Sequence, residues 1–209
     1  MDIVLIAVGY LLGSIPTAYL AARILRGVDL RHVAASTISG SAVYYHVDRW
    51  AIVPVGVIDV AKGFVPPAVA LWLGRQEGAA VAAGLAAVIG HNWSPWLGLR
   101  GGRGLSPFMG LLLVLYPAGA LLLLAALAVG RLFHLTPVFA LLALLVLPGV
   151  IAIQVGRQEP VLGALGMVAI TVLKRLEANR VPLPGEAERR WRVLWSRFWF
   201  DRDEPAEQS

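Results

Sequence analysis

Residues 90–104, GHNWSPWLGLRGGRG, place a histidine and two arginines among closely spaced glycines at the end of an apolar stretch. Glycine lets backbone N–H groups approach an anion closely because it has no Cβ. Arginine adds planar, charged N–H forks that suit phosphate oxygens. A helix that begins after Gly104 would add the positive end of its dipole. The segment therefore predicts a phosphate-binding cradle formed by Arg100, Gly101, Gly102, Arg103 and Gly104. The alternative is a basic loop that only fixes the orientation of the chain in a membrane.

His91 and Asn92 lie near the membrane end of the same apolar stretch. A polar pair at that depth is costly unless it faces protein or water. A histidine there can donate to a developing oxyanion or transfer a proton, which makes His91 a candidate catalytic residue and Asn92 a candidate substrate contact. The alternative is a histidine that bonds to a backbone carbonyl inside the helix bundle.

Asp59 and Lys62 in GVIDVAKGF are three residues apart and share one helix face. Charges inside an apolar span are paired or functional. We expect an ion pair that also lines the polar site, the alternative being a purely structural pair. The preceding segment 23–50 is rich in small hydroxyl residues and glycine, which suits a loop that folds back against the site.

The elements that position these residues are predicted to be apolar helices. The 209-residue chain is 58% hydrophobic and 15% charged, and its mean hydropathy of +0.72 is typical of a polytopic membrane protein. Cysteine is absent, which excludes disulfides and thiolate metal sites. The run after Asp2 lacks a basic start and a cleavage site, so we expect it to be a retained span and not a signal peptide.

A helix needs roughly 20 residues to cross the hydrocarbon. The apolar runs of about this length, together with one longer block, predict seven spans. Pro117 divides the long block from Leu105 to Phe133, because proline removes a backbone donor and clashes with the preceding turn. The predicted spans are about 3–22, 51–73, 79–97, 105–116, 118–133, 136–153 and 159–173.

Seven spans with the N-terminus outside put fifteen of the eighteen lysines and arginines on the cytoplasmic side. Only Arg75 and Arg157 then lie outside, and Lys62 lies within a span. Six spans would separate the basic tail from the basic 23–49 loop, against the positive-inside rule. The sequence thus predicts an all-α, polytopic membrane protein with about seven transmembrane helices and a cytoplasmic C-terminus.

Two parts of the chain follow from this division. Residues 1–178 form the seven-span membrane domain, and residues 179–209 form a cytoplasmic tail. Within the tail, Trp191, Leu194, Trp195 and Phe198 recur at helical spacing among arginines, which predicts an amphipathic helix at the membrane interface. The acidic end, DRDEPAEQS, is expected to lie in solvent.

The chain resembles the integral-membrane glycerol-3-phosphate acyltransferases that use acyl phosphate, the PlsY type, from about residue 8 to residue 176. GYLLGSIPTAYLAARILRGVDLR is similar to the family's first span and first loop, and GVIDVAKGF to its aspartate–lysine signature. GHNWSPWLGLRGGRG is similar to its second motif, a Gly-His followed by Gly-Gly-Lys-Gly, with arginine at the lysine positions. Of these segments, this motif is the most specific for the family.

The resemblance implies seven spans, an outside N-terminus and an active site on the cytoplasmic face of the cell membrane. It also implies acyl transfer from acyl phosphate to the 1-hydroxyl of glycerol 3-phosphate, giving lysophosphatidate without a metal or another cofactor. By position, His91 would assist at the reacting centre, while Asp59 and Lys62 would organise the site. The residues that would hold phosphate are Arg100, Gly101, Gly102, Arg103 and Gly104.

Two of the family's motifs are altered. The first, similar to Gly-Ser-Gly-Asn-x-Gly-Ala-Thr-Asn, aligns with AASTISGSA at 34–42, where Ala35 takes the serine position. A shift in register would let Ser36, Ser39 or Ser41 substitute, and we name Ser39 and Ser41 as catalytic candidates.

The third motif, an Arg-His followed by Asn-Ile and Arg-Leu, is kept only as Lys174-Arg175-Leu176. Its first arginine, histidine and asparagine positions carry apolar residues, namely Val168, Ala169 and Val172. We expect Lys174 and Arg175 to contact substrate, and Glu177 or Glu186 to replace the motif's closing glutamate.

Three other functions are alternatives to an acyltransferase. A divergent homologue with a different acceptor, or one that only binds phosphate or lipid, would explain the altered motifs. A transporter would use Asp59, Lys62 and His91 along a pathway, but the charges gather toward one face and do not continue through the later spans. Nucleic-acid binding through the basic residues is disfavoured, since such residues in a membrane chain set topology.

Overall fold

The computed structural model describes residues 1–33 and 37–203, and the regular elements within these ranges are helical. Residues 34–36, which include Ala35 and Ser36 of the altered first motif, and the last six residues lie outside the described part. The helices are α1 (Asp2–Ser14), α2 (Thr17–Arg26), α3 (Leu30–Val33), α4 (Gly40–His46), α5 (Ile52–Trp72), α6 (Glu77–Asn92), α7 (Leu105–Leu115), α8 (Pro117–Leu132), α9 (Thr136–Val155), α10 (Gln158–Glu177) and α11 (Ala187–Phe200). The all-α prediction is confirmed.

Three helical segments are long and apolar enough to cross a membrane: Asp2–Arg26, Ile52–Trp72 and Thr136–Val155. Leu105–Leu115 and Pro117–Leu132 are apolar but shorter. Helices α6 and α10 coincide with the two remaining predicted runs. Each predicted span therefore overlaps helical segments, the first one two helices and the third extending past the end of α6 at Asn92, while the count of seven crossings stays a prediction.

Prolines set two helix breaks. Pro117 is the first residue of α8, after Tyr116 leaves helical geometry at φ −156°, as the sequence predicts. The first run was predicted as one span over 3–22, but Pro16 separates α1 from α2, because it lacks an N–H and its ring clashes with the preceding turn. The Ile15 carbonyl at this break accepts a hydrogen bond from Lys62 Nζ at 2.5 Å.

Close helix contacts bring the ends of α5, α6 and α7 together. Helix α1 packs on α6, and α5 packs on both α6 and α7. A Cβ at Gly13 would overlap the Ala87 carbonyl, and one at Gly63 would overlap the Pro107 backbone. These glycines let the backbones touch, which places α1 against α6 and α5 against the start of α7.

Charged pairs mark the end of the bundle opposite to His91. Arg75 contacts Asp2 at 2.7 Å, and Arg157 contacts Glu77 at 2.8 Å. The two arginines that the sequence places outside therefore share the end at which α6 begins.

The tail helix α11 packs on α9 and α10. Arg197, 1% exposed, anchors it by donating to the carbonyls of Leu176 and Val181 at 3.0 and 3.1 Å. Trp191 and Trp195 stay exposed, as an interfacial helix requires.

Two residues of the acidic end, Asp201 and Asp203, make ion pairs, although the sequence placed this end in solvent. Asp201 follows α11 in a left-handed conformation and contacts Arg103 at 2.8 Å, with its side chain 16% exposed. Asp203 pairs with Arg197 at 2.7 Å. The expectation considered only local composition, whereas Arg103 and the buried Arg197 offer these two carboxylates charged partners.

Candidate active site

A cavity of about 620 Å³ opens among α5, α6, α9, α10, the start of α7 and residues 37–45. Thirteen residues were predicted for the site, and seven of them line this cavity: Ser39, Ser41, Asp59, His91, Arg103, Gly104 and Arg175. The others lie outside its wall: Lys62, Asn92, Arg100, Gly101, Gly102 and Lys174. Residues from seven separate segments of the chain line this one space.

Asp59 and Lys62 form the expected ion pair, with Lys62 Nζ 2.8 Å from Asp59 Oδ1 and both residues buried. Thr17, at the start of α2, donates to the same Asp59 oxygen at 2.5 Å and accepts from Lys62. The pair thus ties α5 to the break between α1 and α2. Thr17 was missed in the sequence, where the neighbouring Pro16 inside an apolar run was the available signal.

His91 lies in the cavity wall with its side chain 10% exposed and its Nδ1 3.7 Å from Asp59 Oδ1. This separation exceeds a hydrogen bond but keeps the ring beside a carboxylate. The opposite ring nitrogen packs against Gly102, where a Cβ would overlap Nε2. Gly102 is therefore required by the position of the imidazole.

The glycine loop uses much of its own hydrogen-bonding capacity. Gly101 N donates to Asn179 Oδ1 at 3.1 Å, and its carbonyl accepts from Asn179 Nδ2 and from Ile38 N. Gly102 N donates to the His91 carbonyl at 3.2 Å. These two residues shape the loop, whereas Gly104, Leu105 and Ser106 at the start of α7 line the cavity.

Gly104 is the residue before α7 and has φ of +73°, a conformation that glycine adopts without strain. Leu105 and Ser106, in the first turn of α7, line the cavity. Asn92 is fully buried beneath this turn, with its amide oxygen 2.9 Å from where a Gly104 Cβ would lie. The turn presents the positive end of the α7 dipole to the cavity.

The two arginines of the motif differ in placement. Arg103 is 10% exposed at its side chain; its Nε donates to Asp201 at 2.8 Å and its Nη1 to the Lys174 carbonyl at 3.2 Å. Within the described residues its Nη2 has no protein partner. Arg100 is exposed and stands off the cavity wall.

Lys174 and Arg175 are both buried but have different partners. Lys174 is 0% exposed, donates to Glu177 at 2.9 Å and lies 4.8 Å from the centre of the Trp93 ring. Arg175 lines the cavity and donates to the carbonyls of Phe198 and Pro137, each at 2.7 Å. Of the two glutamates considered for the third motif, Glu177 is the one joined to this region, also accepting from Trp93 Nε1.

The first loop folds back against the site, as its composition suggested. Ile38 N donates to the Gly101 carbonyl at 3.1 Å, and the hydroxyls of Ser39 and Ser41 lie 2.9 Å apart. Farther along the loop, the Arg31 guanidinium holds the pKa of Asp29 well below its usual range. That carboxylate stays ionised and keeps the Arg31 contact at neutral pH.

Several cavity residues were missed by sequence reasoning: Thr37, Arg131, His134, Thr136, Thr171 and Asp201. Arg131 lies in the last turn of α8, and His134 lies in the turn between α8 and α9. The local sequence of neither residue indicates a partner. Asp201 comes from the tail, and Thr171 lies one turn before Arg175 on α10. Only the packing of distant segments brings these residues together.

An apolar helical chain that holds a polar, basic cavity at one end defines an integral membrane protein with a buried polar site. The family described as glycerol-3-phosphate acyltransferase matches residues 3–182, and the chain belongs to this family. It is 34% identical to glycerol-3-phosphate acyltransferase of Parasynechococcus marenigrum over 85% of this chain and 84% of that protein.

A second relative and a solved structure are also similar to this chain. Glycerol-3-phosphate acyltransferase 2 of Dehalococcoides mccartyi strain 195 is 38% identical over 57% of each chain, so this match spans little more than half of that relative. A crystal structure of PlsY, an integral membrane glycerol 3-phosphate acyltransferase, in its glycerol 3-phosphate form has a TM-score of 0.76 at 24% identity, covering 84% of this chain and 88% of that one. This likeness shows that the two chains share a fold.

Proposed function

We propose that the protein transfers an acyl group from acyl phosphate to the 1-hydroxyl of glycerol 3-phosphate, giving lysophosphatidate and inorganic phosphate. The observation that carries this proposal is the presence of His91, Arg103 and the start of α7 in the wall of one cavity of about 620 Å³. A space of that size holds a small polar substrate. Family membership supplies the reaction, and the cavity supplies the groups that it needs.

Phosphate binding falls to Arg103 and the first turn of α7. The Nη2 of Arg103 and the helix N-terminus provide charge-assisted and dipolar donors. Arg131 and Arg175 add positive charge to the same cavity. Two phosphorylated substrates need such charge, since their mutual repulsion opposes the approach of the reacting atoms.

The chemical step joins the hydroxyl oxygen of the acceptor to the acyl carbon. The bond from that carbon to the phosphate oxygen breaks, and the phosphate leaves with the electron pair. His91 accepts the hydroxyl proton, and the Asp59 carboxylate 3.7 Å away stabilises the resulting imidazolium. Ser39 and Ser41 line the same space and would contact the polar substrate.

The cavity faces the cytoplasm in this proposal, with seven spans and the N-terminus outside. Arg75 and Arg157 pair with carboxylates at the far end of the bundle, whereas Arg103, Arg131 and Arg175 lie around the cavity. The positive-inside rule then assigns the cavity end to the cytoplasm. Residues 1–178 form the membrane domain, and the tail, residues 179–209, rests on its cytoplasmic face.

The absence of cysteine makes this topology directly testable. Single cysteines at Gly74 and Arg192 are labelled in intact cells with a membrane-impermeant maleimide. We expect Gly74→Cys to react before lysis and Arg192→Cys only after it. The reverse pattern would overturn the orientation.

The reaction is tested with purified protein, acyl phosphate and glycerol 3-phosphate, following lysophosphatidate. We expect product from the wild type and from Arg192→Ala, an exposed arginine away from the cavity, and none from well-folded His91→Ala. Full activity of His91→Ala would contradict the proposed catalytic role of His91.

A second candidate is binding without this reaction, or transfer to another acceptor. The apolar residues Val168, Ala169 and Val172 at polar positions of the third motif favour it, because lost polar contacts reduce substrate discrimination. Stabilisation by phosphorylated ligands without lysophosphatidate would support this candidate.

A further inference from the structure

Two hydroxyl groups in the cavity wall are buried without a hydrogen-bond partner among the described residues. They belong to Thr37 and Thr171. Buried polar groups are satisfied in the great majority of cases, and leaving one unpaired is costly. An unpaired hydroxyl that faces a cavity therefore indicates a ligand that supplies the missing partner.

Thr171 is the stronger of the two, since the whole residue is 1% exposed. A threonine within a helix ordinarily bonds its hydroxyl to the carbonyl one turn earlier, but Thr171 Oγ1 does not. Its hydroxyl also lies on the same helix face as Arg175, one turn away. Both side chains line the cavity that holds His91 and Arg103.

This face compensates for the altered third motif. The polar positions of that motif carry Val168, Ala169 and Val172, and Ala169 is exposed. Thr171, next to Val172, instead places a hydroxyl residue in the cavity wall. A hydroxyl can both donate to and accept from an alcohol, so it suits the polyol part of the acceptor better than its phosphate.

We propose that Thr171 determines specificity for the acceptor by hydrogen bonding to a hydroxyl group of glycerol 3-phosphate. The proposal rests on the proposed function for the identity of the acceptor. It assigns the phosphate to Arg103 and the α7 N-terminus, and the polyol to Thr171.

The test compares Thr171→Val with Thr171→Ser. Valine keeps the shape of threonine but removes the unpaired hydroxyl, so we expect the free protein to melt about 2–4 °C higher. We expect the KM for glycerol 3-phosphate to rise about tenfold, the loss of one hydrogen bond, with little change in kcat. Thr171→Ser should restore the KM to within about threefold.

Ser196→Ala is the matched control. The Ser196 hydroxyl is also buried and unpartnered, but it lies on α11 away from the cavity wall. Its removal should raise the melting temperature without changing the KM. A Thr171→Val variant that melts lower and keeps its KM would show a structural hydroxyl and overturn the proposal.

A binding measurement separates this inference from the reaction itself. The affinities for glycerol 3-phosphate and for inorganic phosphate are measured by calorimetry in wild type and Thr171→Val. We expect weaker binding of glycerol 3-phosphate only. Wild-type protein that binds glycerol 3-phosphate but makes no product would refute the proposed function, while the comparison of affinities would still test Thr171. Equal affinities for glycerol 3-phosphate in wild type and Thr171→Val would overturn the role of Thr171.

Discussion

Two walls of the cavity are built in different ways. The first wall comprises Asp59, His91 and Arg103, from α5, α6 and the loop before α7. These three side chains lie beside Lys62, Asp59 and Asp201 respectively. The second wall comprises Thr37 and Thr171, whose hydroxyls have no partner in the described chain. The side chains of the first wall are positioned by ionic contacts within the protein. The hydroxyls of the second wall are the groups that we propose a ligand to bind.

This difference predicts opposite responses to substitution. Removing a group from the first wall breaks contacts inside the protein and should harm both stability and activity. Removing a hydroxyl from the second wall should harm binding alone. The variants below test the first wall, from the largest expected effect to the smallest.

Lys62→Met should have the largest effect on stability. It leaves Asp59 charged and buried without its partner, which costs about 3–5 kcal/mol of unfolding free energy. Thermal unfolding in detergent measures the loss. Arg26→Ala, which breaks the exposed Arg26–Asp48 pair, should cost less than about 1 kcal/mol; equal losses would contradict the buried role of Lys62.

Arg103→Ala should reduce turnover about 10²–10³-fold, the cost of one donor to developing charge. Arg100→Ala should lose much less, since Arg100 is exposed and off the wall. Steady-state rates at saturating substrate compare the two variants. A larger loss from Arg100→Ala would reverse the assignment of the phosphate donor.

Gly102→Ala should lower kcat about tenfold or more, because a Cβ there overlaps His91 Nε2 and small displacements of reacting groups are costly. Gly185→Ala has open space around its Cβ and serves as the control. An unchanged kcat in Gly102→Ala would show that the position of His91 is not critical.

Asp201→Asn should have the smallest effect, a rise of about threefold in the KM for glycerol 3-phosphate. It weakens the charge-assisted contact that orients Arg103, a partly exposed pair whose contribution is modest. Asp203→Asn, which affects Arg197 on the tail, is the control and should leave the KM unchanged. A lower KM in Asp201→Asn would mean that the carboxylate competes with phosphate.

The first wall was largely predictable from the sequence. Asp59 and Lys62 are three residues apart on one helix, and the histidine, arginine and glycine pattern of 90–104 carries its chemistry in one short segment. The distinction between Arg100 and Arg103 was not predictable, because it depends on which side of the loop meets α10 and Asp201.

The second wall was not predictable. Thr171 has no unusual sequence neighbours, and its unpaired hydroxyl is apparent only once α10 packs beside α9 and the first loop. Asp201 was expected in solvent because its segment is acidic, and the tail helix returns it to Arg103 at 2.8 Å.

The sequence by itself determined the apolar helices, the break at Pro117, the separation of basic residues between two ends and the chemistry of the glycine–arginine segment. These features depend on hydropathy, backbone restriction and spacing within a few turns. The tertiary structure alone decided which hydroxyl residues line the cavity, which arginine reaches it and that Asp201 meets Arg103. Those outcomes depend on contacts between residues as far apart as Arg103 and Asp201, and such contacts are set by the packing of whole helices.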